Sequence, residues 1–390
     1  MKKALVVGGS SGVGLAMVLS LLHRNYDHVY IVDKNAVNTE VIPEALRADF
    51  FAKTSCFKQD LTNGDFSYFD IVTDINTLVI TAGFGRVAAF EELSEIEVDK
   101  LIKCNMVAAI RIIQKYYNKI HDQEDFYCAV MGSIAGHVAS PLFSVYGAAK
   151  FGLCSFVENI NIELQYQGYS NRVLDVSPGS LAGTNFNGDG NDIEKVMAVV
   201  DEIADRMFAR ETLYIPQYDE IYKNVLDRYH DDPVKYGLES YDYKLKSGRI
   251  SHKKQMVIGY LSGTFDLFHI GHLNLLRRTK EQCDYLVVGV HKSGAWKGKE
   301  TFIPFEERLE IVSRIEYVDK AIESFTEDVD AYHCVHYDKL FVGSDYKNTE
   351  RFNRYEAYFA DKNVEIVYFP YTNGTSSTQL RDVLVKNKKQ

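Results

Sequence analysis

Short apolar runs alternate with longer helical patterns along the whole chain, and this alternation restricts the fold more than any other feature. The runs fall at Ala4–Val7, His28–Val32, Thr77–Ile80, Phe126–Met131 and Arg172–Val176, then at Met256–Tyr260, Tyr285–Val290, Leu340–Val342 and Val364–Phe369. Strands that lack a polar face must be covered on both sides, which requires parallel sheets with helices packed above and below. With 390 residues the chain exceeds one typical domain, so two doubly wound α/β domains in tandem are expected. Their bounds are placed at residues 1–211 and 255–390. The stretch 212–254 differs in character. It holds Tyr214, Tyr218, Tyr222, Tyr229, Tyr236, Tyr241 and Tyr243 and ends in a polar run. It is read as a Tyr-rich helical appendage and linker whose aromatics pack on something, a partner subunit included.

Charge and cysteine usage narrow the classes. A formal net charge of −10 speaks against nucleic-acid binding, which needs basic surface to neutralise phosphates. Small phosphorylated ligands remain compatible, because a few local amides and cations hold them. The basic tail Lys386–Lys389 reads as a solvated end. Cys56, Cys104, Cys128, Cys154, Cys283 and Cys334 form no CxxC pair and no Cys/His metal spacing. Reduced thiols and no structural metal are therefore expected. The first apolar run is too short for a signal peptide or a membrane span, and no other stretch is long enough. The expectation is a soluble cytoplasmic protein without a membrane partner.

The first strand runs into Gly8, Gly9, Ser10, Ser11, Gly12, Val13 and Gly14, followed by the helical stretch Leu15–Leu22. Glycines between a strand and a helix let the backbone approach a pyrophosphate at the positive end of the helix, the signature of a Rossmann-like dinucleotide site. Asp33 closes the second strand, where an acid accepts ribose hydroxyls and favours NAD over NADP; Lys34 beside it pulls the other way. Further along stand Ser133 at a strand end, then Tyr146 and Lys150, four apart on one helix face. The ammonium is expected to favour the phenolate and draw its pKa toward working pH. Together these residues resemble the short-chain dehydrogenase/reductase family over residues 1–210. The resemblance implies Tyr146 as proton donor to a carbonyl, Ser133 as its hydrogen-bond partner, Lys150 on the nicotinamide ribose and Asn105 in a proton relay. It also implies cofactor contacts at Asp60, Ala82, Gly83, Pro178, Gly179 and Thr184. Two positions depart from the family pattern: its Asn-Asn-Ala-Gly is Ile80, Thr81, Ala82 and Gly83 here, and Thr184 comes one place late.

The second half opens the same way with a different motif: Gly263, Thr264, Phe265 and Asp266, then His269, Gly271 and His272, then a helix. Two imidazoliums at a helix N-terminus would stabilise charge on an α-phosphate during in-line displacement. Zinc ligation is the weaker alternative, because no third ligand lies near in sequence. The full string resembles the HxGH nucleotidyltransferase superfamily, and within it the glycerol-3-phosphate cytidylyltransferases, over residues 256–384. The resemblance implies nucleotide contacts from Gly263, Thr264, Phe265, His269, His272, Lys297, Arg308 and Asp345, and from Thr375, Ser376, Ser377 and Thr378. Orphan amides at the start of a last helix would serve phosphate in any case. Tyr371 stands where the family often has arginine, which implies either that another group such as Arg381 makes one phosphate contact or that the acceptor differs from glycerol 3-phosphate.

A reductase yields an alcohol, and a cytidylyltransferase activates an alcohol phosphate. The fusion therefore suggests reduction of a ketose phosphate with NAD(P)H followed by CMP transfer from CTP, with Mg²⁺ as counter-charge. The product would be a CDP-alditol of ribitol, arabinitol, mannitol or glycerol type, for a capsule or teichoic-acid-like polymer. Two alternatives stand beside it: an adenylyltransferase of cofactor biosynthesis, and a redox-sensing dinucleotide module that regulates the transferase. A homo-oligomer is expected.

Overall fold

The computed structural model describes residues 1–184, 186, 192–248, 250, 256–294 and 301–370. They form two compact units, Met1–His252 and Lys253–Gln390. The first is built on seven parallel strands: β1 (Lys3–Val7), β2 (His28–Asp33), β3 (Thr54–Lys58), β4 (Thr77–Ile80), β5 (Tyr127–Met131), β6 (Val173–Val176) and β7 (Leu213–Tyr214). Their spatial order is β3-β2-β1-β4-β5-β6-β7. The direction of winding reverses between β1 and β4, and a crevice opens at such a point beyond the carboxyl ends of the strands.

Along β1 the side chains alternate between two cores, as the pleat dictates. Ala4 and Val6 face a layer with the helices Gly12–His23 and Ile193–Phe208. Leu5 and Val7 face the opposite layer, with Ala108–Lys115 and Ser144–Tyr166. The sheet is thus buried on both faces, which is why its inner strands carry no polar alternation.

The first unit continues past residue 211. Leu213–Tyr214 pairs with Asp175 and Val176 as the seventh strand, so the Tyr-rich stretch begins inside the sheet. The helices Lys223–Asp231 and Pro233–Lys246 follow.

The second unit carries five parallel strands, β8 (Ile258–Gly263), β9 (Tyr285–Val290), β10 (Lys320–Glu323), β11 (Lys339–Gly343) and β12 (Glu365–Phe369), in the order β10-β9-β8-β11-β12. Its core gathers Leu261, Phe265, Leu276, Leu286, Val288 and Phe341. Here the winding reverses between β8 and β11, where the Gly263 loop and Asp345 emerge. No helix among the described residues is long and apolar enough to cross a membrane.

Candidate active sites

In the first unit a cavity of about 570 Å³ lies at the switch point. Its lining takes in the glycine loop (Gly8, Ser10, Ser11, Gly12, Val13, Gly14) and, from other elements, Asp33, Asp60, Ala82, Gly83, Asn105, Ser133, Tyr146, Lys150, Pro178, Gly179 and Thr184. Every candidate from the first half thus meets in one space, although the chain separates them by up to 176 positions, from Gly8 to Thr184.

Backbone geometry explains the glycines. Gly8 and Gly12 have φ of +89° and +51°, a region that strains other residues. A Cβ on Gly8 would lie 2.8 Å from Thr81 Oγ1, and one on Gly14 would lie 2.6 Å from the same atom. Thr81, the departure from the family pattern, is itself a brace. Its hydroxyl donates to the carbonyls of Val7 (3.1 Å) and Gly8 (3.2 Å), tying the end of β4 to the loop. Asp33 is positioned similarly, its carboxylate accepting from the amides of Ser10 (3.1 Å) and Asn35 (2.9 Å). Asp60 accepts from the amide and hydroxyl of Thr62, both at 2.8 Å. The late Thr184 reaches the loop from above, and a Cβ on Gly12 would touch its Cγ2 at 3.9 Å.

The candidate reacting groups line the same cavity. Tyr146 and Lys150 occupy the first two turns of Ser144–Tyr166, and both are buried. The Ser133 hydroxyl hydrogen-bonds the Tyr146 phenol. Asn105 lies in a π-helical turn, Lys103–Val107, a widening frequent at functional sites. Its amide donates to the carbonyls of Phe84 (2.8 Å) and Leu101 (3.0 Å), and its Oδ1 accepts from the Phe84 amide (3.2 Å). Lys150 Nζ donates to the carbonyl of Met131 at 2.7 Å and stands 5.7 Å from the Tyr146 ring centroid.

Burial dominates both titrations. It pushes the Tyr146 phenol up to about 12, against the lowering effect of Ser133, and the Lys150 ammonium down to about 8. The sequence expectation that the ammonium draws the phenol down is therefore reversed: desolvation opposes each charge more than the pair offsets it. The result is a phenol held protonated at neutral pH, the form that donates to a developing alkoxide.

Beneath Ser133 lies a polar cluster absent from the sequence reading. Ser177 Oγ donates to Asp175 (2.8 Å), accepts from the Ser133 amide (3.1 Å) and meets His137 Nε2 at 2.9 Å. His137, Cys154 and Asp175 are the one group among the described residues close enough to share a metal ion. The Ser177 hydroxyl bonds all three, at 3.6 Å in the case of Cys154, and that makes the cluster a hydrogen-bonded support for the Ser133 loop.

In the second unit, β8 ends at Gly263 and the loop passes through Phe265 and Leu267, both with left-handed φ (51° and 50°). Two non-glycine residues in that region mark a strained turn, the kind found around functional sites. Asp266 braces it by accepting from the amides of Phe302 and Ile303 (3.0–3.1 Å). His269 caps the helix Ile270–Lys280: its Nδ1 accepts from the Gly271 amide at 3.0 Å, and His272 Nδ1 accepts from the His269 amide at 3.4 Å. The two rings stack at 4.1 Å.

These bonds set the protonation. An Nδ1 that accepts leaves the ring proton on Nε2. Burial lowers both pKa values, and His272, with His269 beside it, falls to about 4. The imidazoliums expected from the sequence are thus neutral imidazoles with Nε2–H donors. Arg308 also differs from expectation. It is buried, and its guanidinium donates to the carbonyls of Ile303 (2.9 Å), Thr264 (2.5 Å), His291 (2.7 Å) and Lys292 (2.8 Å). It clamps the Gly263–His272 loop with four of its five N–H donors, so only one Nη2 N–H is left for a nucleotide. Asp345 is exposed at the end of β11, beside β8 in the sheet. Lys297, Thr375, Ser376, Ser377, Thr378, Tyr371 and Arg381 lie outside the described residues.

Comparison with known proteins matches each half of the chain to a family. The short chain dehydrogenase family matches residues 2–195, and the cytidylyltransferase-like family matches residues 260–383. A glycerol-3-phosphate cytidylyltransferase of Bacillus spizizenii is 32% identical over 123 residues, which are 30% of this chain and 90% of that protein. An uncharacterized oxidoreductase of Saccharomyces cerevisiae is 28% identical over 193 residues, 47% of this chain and 56% of that protein. A short-chain dehydrogenase structure from Novosphingobium aromaticivorans superposes with a TM-score of 0.50 at 19% identity, covering 63% of this chain and 95% of that one. That last likeness concerns the fold alone.

Proposed function

The chain is an enzyme that carries a short-chain dehydrogenase domain and belongs, through its second unit, to the cytidylyltransferase-like family, and from that premise we propose that it reduces a ketose phosphate and transfers CMP to the resulting alditol phosphate. The observation that carries the reading is the convergence of Ser133, Tyr146, Lys150 and Asn105 with the glycine loop on one cavity.

A dinucleotide fits this cavity. Gly8, Gly12 and Gly14 line it without side chains, and Asp33 lines it with a carboxylate able to accept from a ribose. NADH or NADPH, when bound, supplies the hydride. Tyr146 donates its phenolic proton to the carbonyl oxygen, and the Ser133 hydroxyl orients that oxygen. Lys150 holds the ribose end, and Asn105 keeps the π-helical turn open beside it.

In the second unit the alditol phosphate oxygen attacks the α-phosphorus of CTP and pyrophosphate leaves. His269 and His272 donate from Nε2 to the charge that builds on the phosphate oxygens, a role that needs positioned donors more than full positive charge. Mg²⁺ enters with CTP as counter-charge. Lys297 and Thr375–Thr378 complete the phosphate contacts in this reading. The product is a CDP-alditol of the kind used for surface polymers.

A homo-oligomer belongs to the same proposal. It is supported by the exposed apolar stripe Val234, Leu238, Tyr241 and Leu245 on the helix Pro233–Lys246. The test of the whole reading is incubation of the full chain with NADH or NADPH, CTP, Mg²⁺ and a panel of ketose phosphates. One substrate is expected to drive oxidation of the reduced cofactor and release of pyrophosphate. If none yields a CDP-alditol, the coupled reading is wrong; consumption of ATP in place of CTP would favour an adenylyltransferase.

A further inference from the structure

Lys244 lies on the helix Pro233–Lys246, after the last strand of the first unit, and is half-buried. Its Nζ donates to Ser140 Oγ (2.8 Å) and to the carbonyl of Pro141 (2.7 Å), both neutral acceptors. No carboxylate pairs with it among the described residues. An ammonium withdrawn from water without a counter-ion is costly. Burial accordingly drives it down to about 8, with no neighbouring anion raising it. Two other withdrawn cations of this unit have a different setting: Arg86 is paired with Glu97 at 2.7 Å, and Lys150 lines the cavity itself.

The position of Lys244 relates it to the cavity. Nζ stands 5.3 Å from the Phe143 ring centroid. That ring is 5.1 Å from Tyr146 and 6.3 Å from Phe186, both of which line the cavity. A Cβ on Gly85, another lining residue, would lie 3.0 Å from Phe143 Cε1. The same C-terminal extension touches the lining a second time through Tyr222, whose hydroxyl end lies where a Cβ on Gly179 would go. The extension therefore packs against Phe143 and Gly179 beside the cavity and brings a cation with no carboxylate partner among the described residues within two ring contacts of Tyr146.

We propose that Lys244, with the Ser140 hydroxyl, is the anion anchor of the reductase site, binding the phosphate of a ketose phosphate while its carbonyl faces Tyr146. This rests on the reductase reading above. A phosphate supplies the missing counter-charge and accepts from both groups, and charge-assisted bonds of this kind are the strong ones. It also selects open-chain substrates with a phosphate at the end remote from the carbonyl.

The test compares a ketose phosphate with the same ketose unphosphorylated in wild-type, Lys244→Met and Lys244→Arg full-length enzyme. Lys244→Met is expected to raise KM for the phosphorylated ketose tenfold or more, with kcat little changed. The kcat/KM of the unphosphorylated ketose should move less than twofold. Lys244→Arg should recover part of the loss, and inorganic phosphate should compete with the ketose phosphate in the wild type but not in Lys244→Met. Equal losses on both substrates would show that Lys244 only holds the Ser140–Pro141 loop, and no loss on either would place the phosphate elsewhere; each overturns the proposal. If Lys244→Met does not fold, Ser140→Ala supplies the same comparison with a two- to threefold rise in KM. A wild-type enzyme that reduces neither form of any ketose would sink the reductase reading itself, a result distinct from the others.

Discussion

Burial sets the chemistry of the reacting residues in both units, and at Lys150 it does so at a cost to stability. The pKa of Lys150 is depressed from 10.5 to about 8 in the folded chain. Between pH 8 and 10.5 the unfolded chain binds the extra proton, so this residue's contribution improves as pH rises through that window. Below pH 8 both states are protonated and the whole penalty applies, on the order of 3 kcal/mol for a shift of this size. Lys150→Met is therefore expected to be inactive yet more stable than wild type at pH 7, with the gain shrinking toward pH 10.5. Denaturant unfolding of the two proteins at pH 7 and pH 10 checks this, and a less stable variant at pH 7 would contradict it. Stability given up for function in this way is common at active sites. The Tyr146/Lys150 pair was legible from its spacing. Its protonation was not, because spacing carries no information about how far water is excluded.

At the scale of elements, the strands that the apolar pattern missed are β3, β7 and β10. All three lie at sheet edges. Thr54–Lys58 and Lys320–Glu323 are largely exposed or half-buried, and Leu213–Tyr214 is two residues long. An edge strand has one neighbour and a thinner cover, so its sequence need not be apolar. The π-helical turn at Asn105 was equally hidden, since its widening depends on packing against Phe84 and Leu101. The helix Pro233–Lys246 carries a different message. Val234, Leu238, Tyr241 and Leu245 repeat at spacings of four, three and four and are 73%, 66%, 40% and 48% exposed, the pattern of a helix-pairing seam. Two copies crossing antiparallel on this seam would set Lys235 of each against Asp242 of the other. In the proposed homo-oligomer, Leu238→Glu should leave only monomers in sedimentation analysis. Lys235→Asp and Asp242→Lys should each weaken it a few-fold, and their combination should restore it. An unchanged mass for Leu238→Glu would remove this helix from the interface.

For the whole molecule, the decisive fact is that each unit has its own sheet, core and switch point. Loss of one site should therefore leave the other working. Tyr146→Phe is expected to lower cofactor oxidation by roughly 10²–10⁴-fold, the usual worth of a general acid, while CTP-dependent pyrophosphate release from supplied alditol phosphate stays at the wild-type rate. His269→Ala should do the reverse. A Tyr146→Phe enzyme that also loses transfer would show that the two sites are coupled. The sequence by itself determined the two-unit α/β plan and the inner strands and proposed the candidate residues of both sites, because continuous apolar runs and short-range spacings are local properties of a chain. Tertiary structure alone decided that burial lowers the pKa of His269 and His272, that Arg308 is bound to four carbonyls, and that Lys244 packs on Phe143 beside the reductase cavity from beyond the seventh strand. Those outcomes depend on desolvation and on contacts between residues far apart along the chain, and such quantities exist only once the chain has folded.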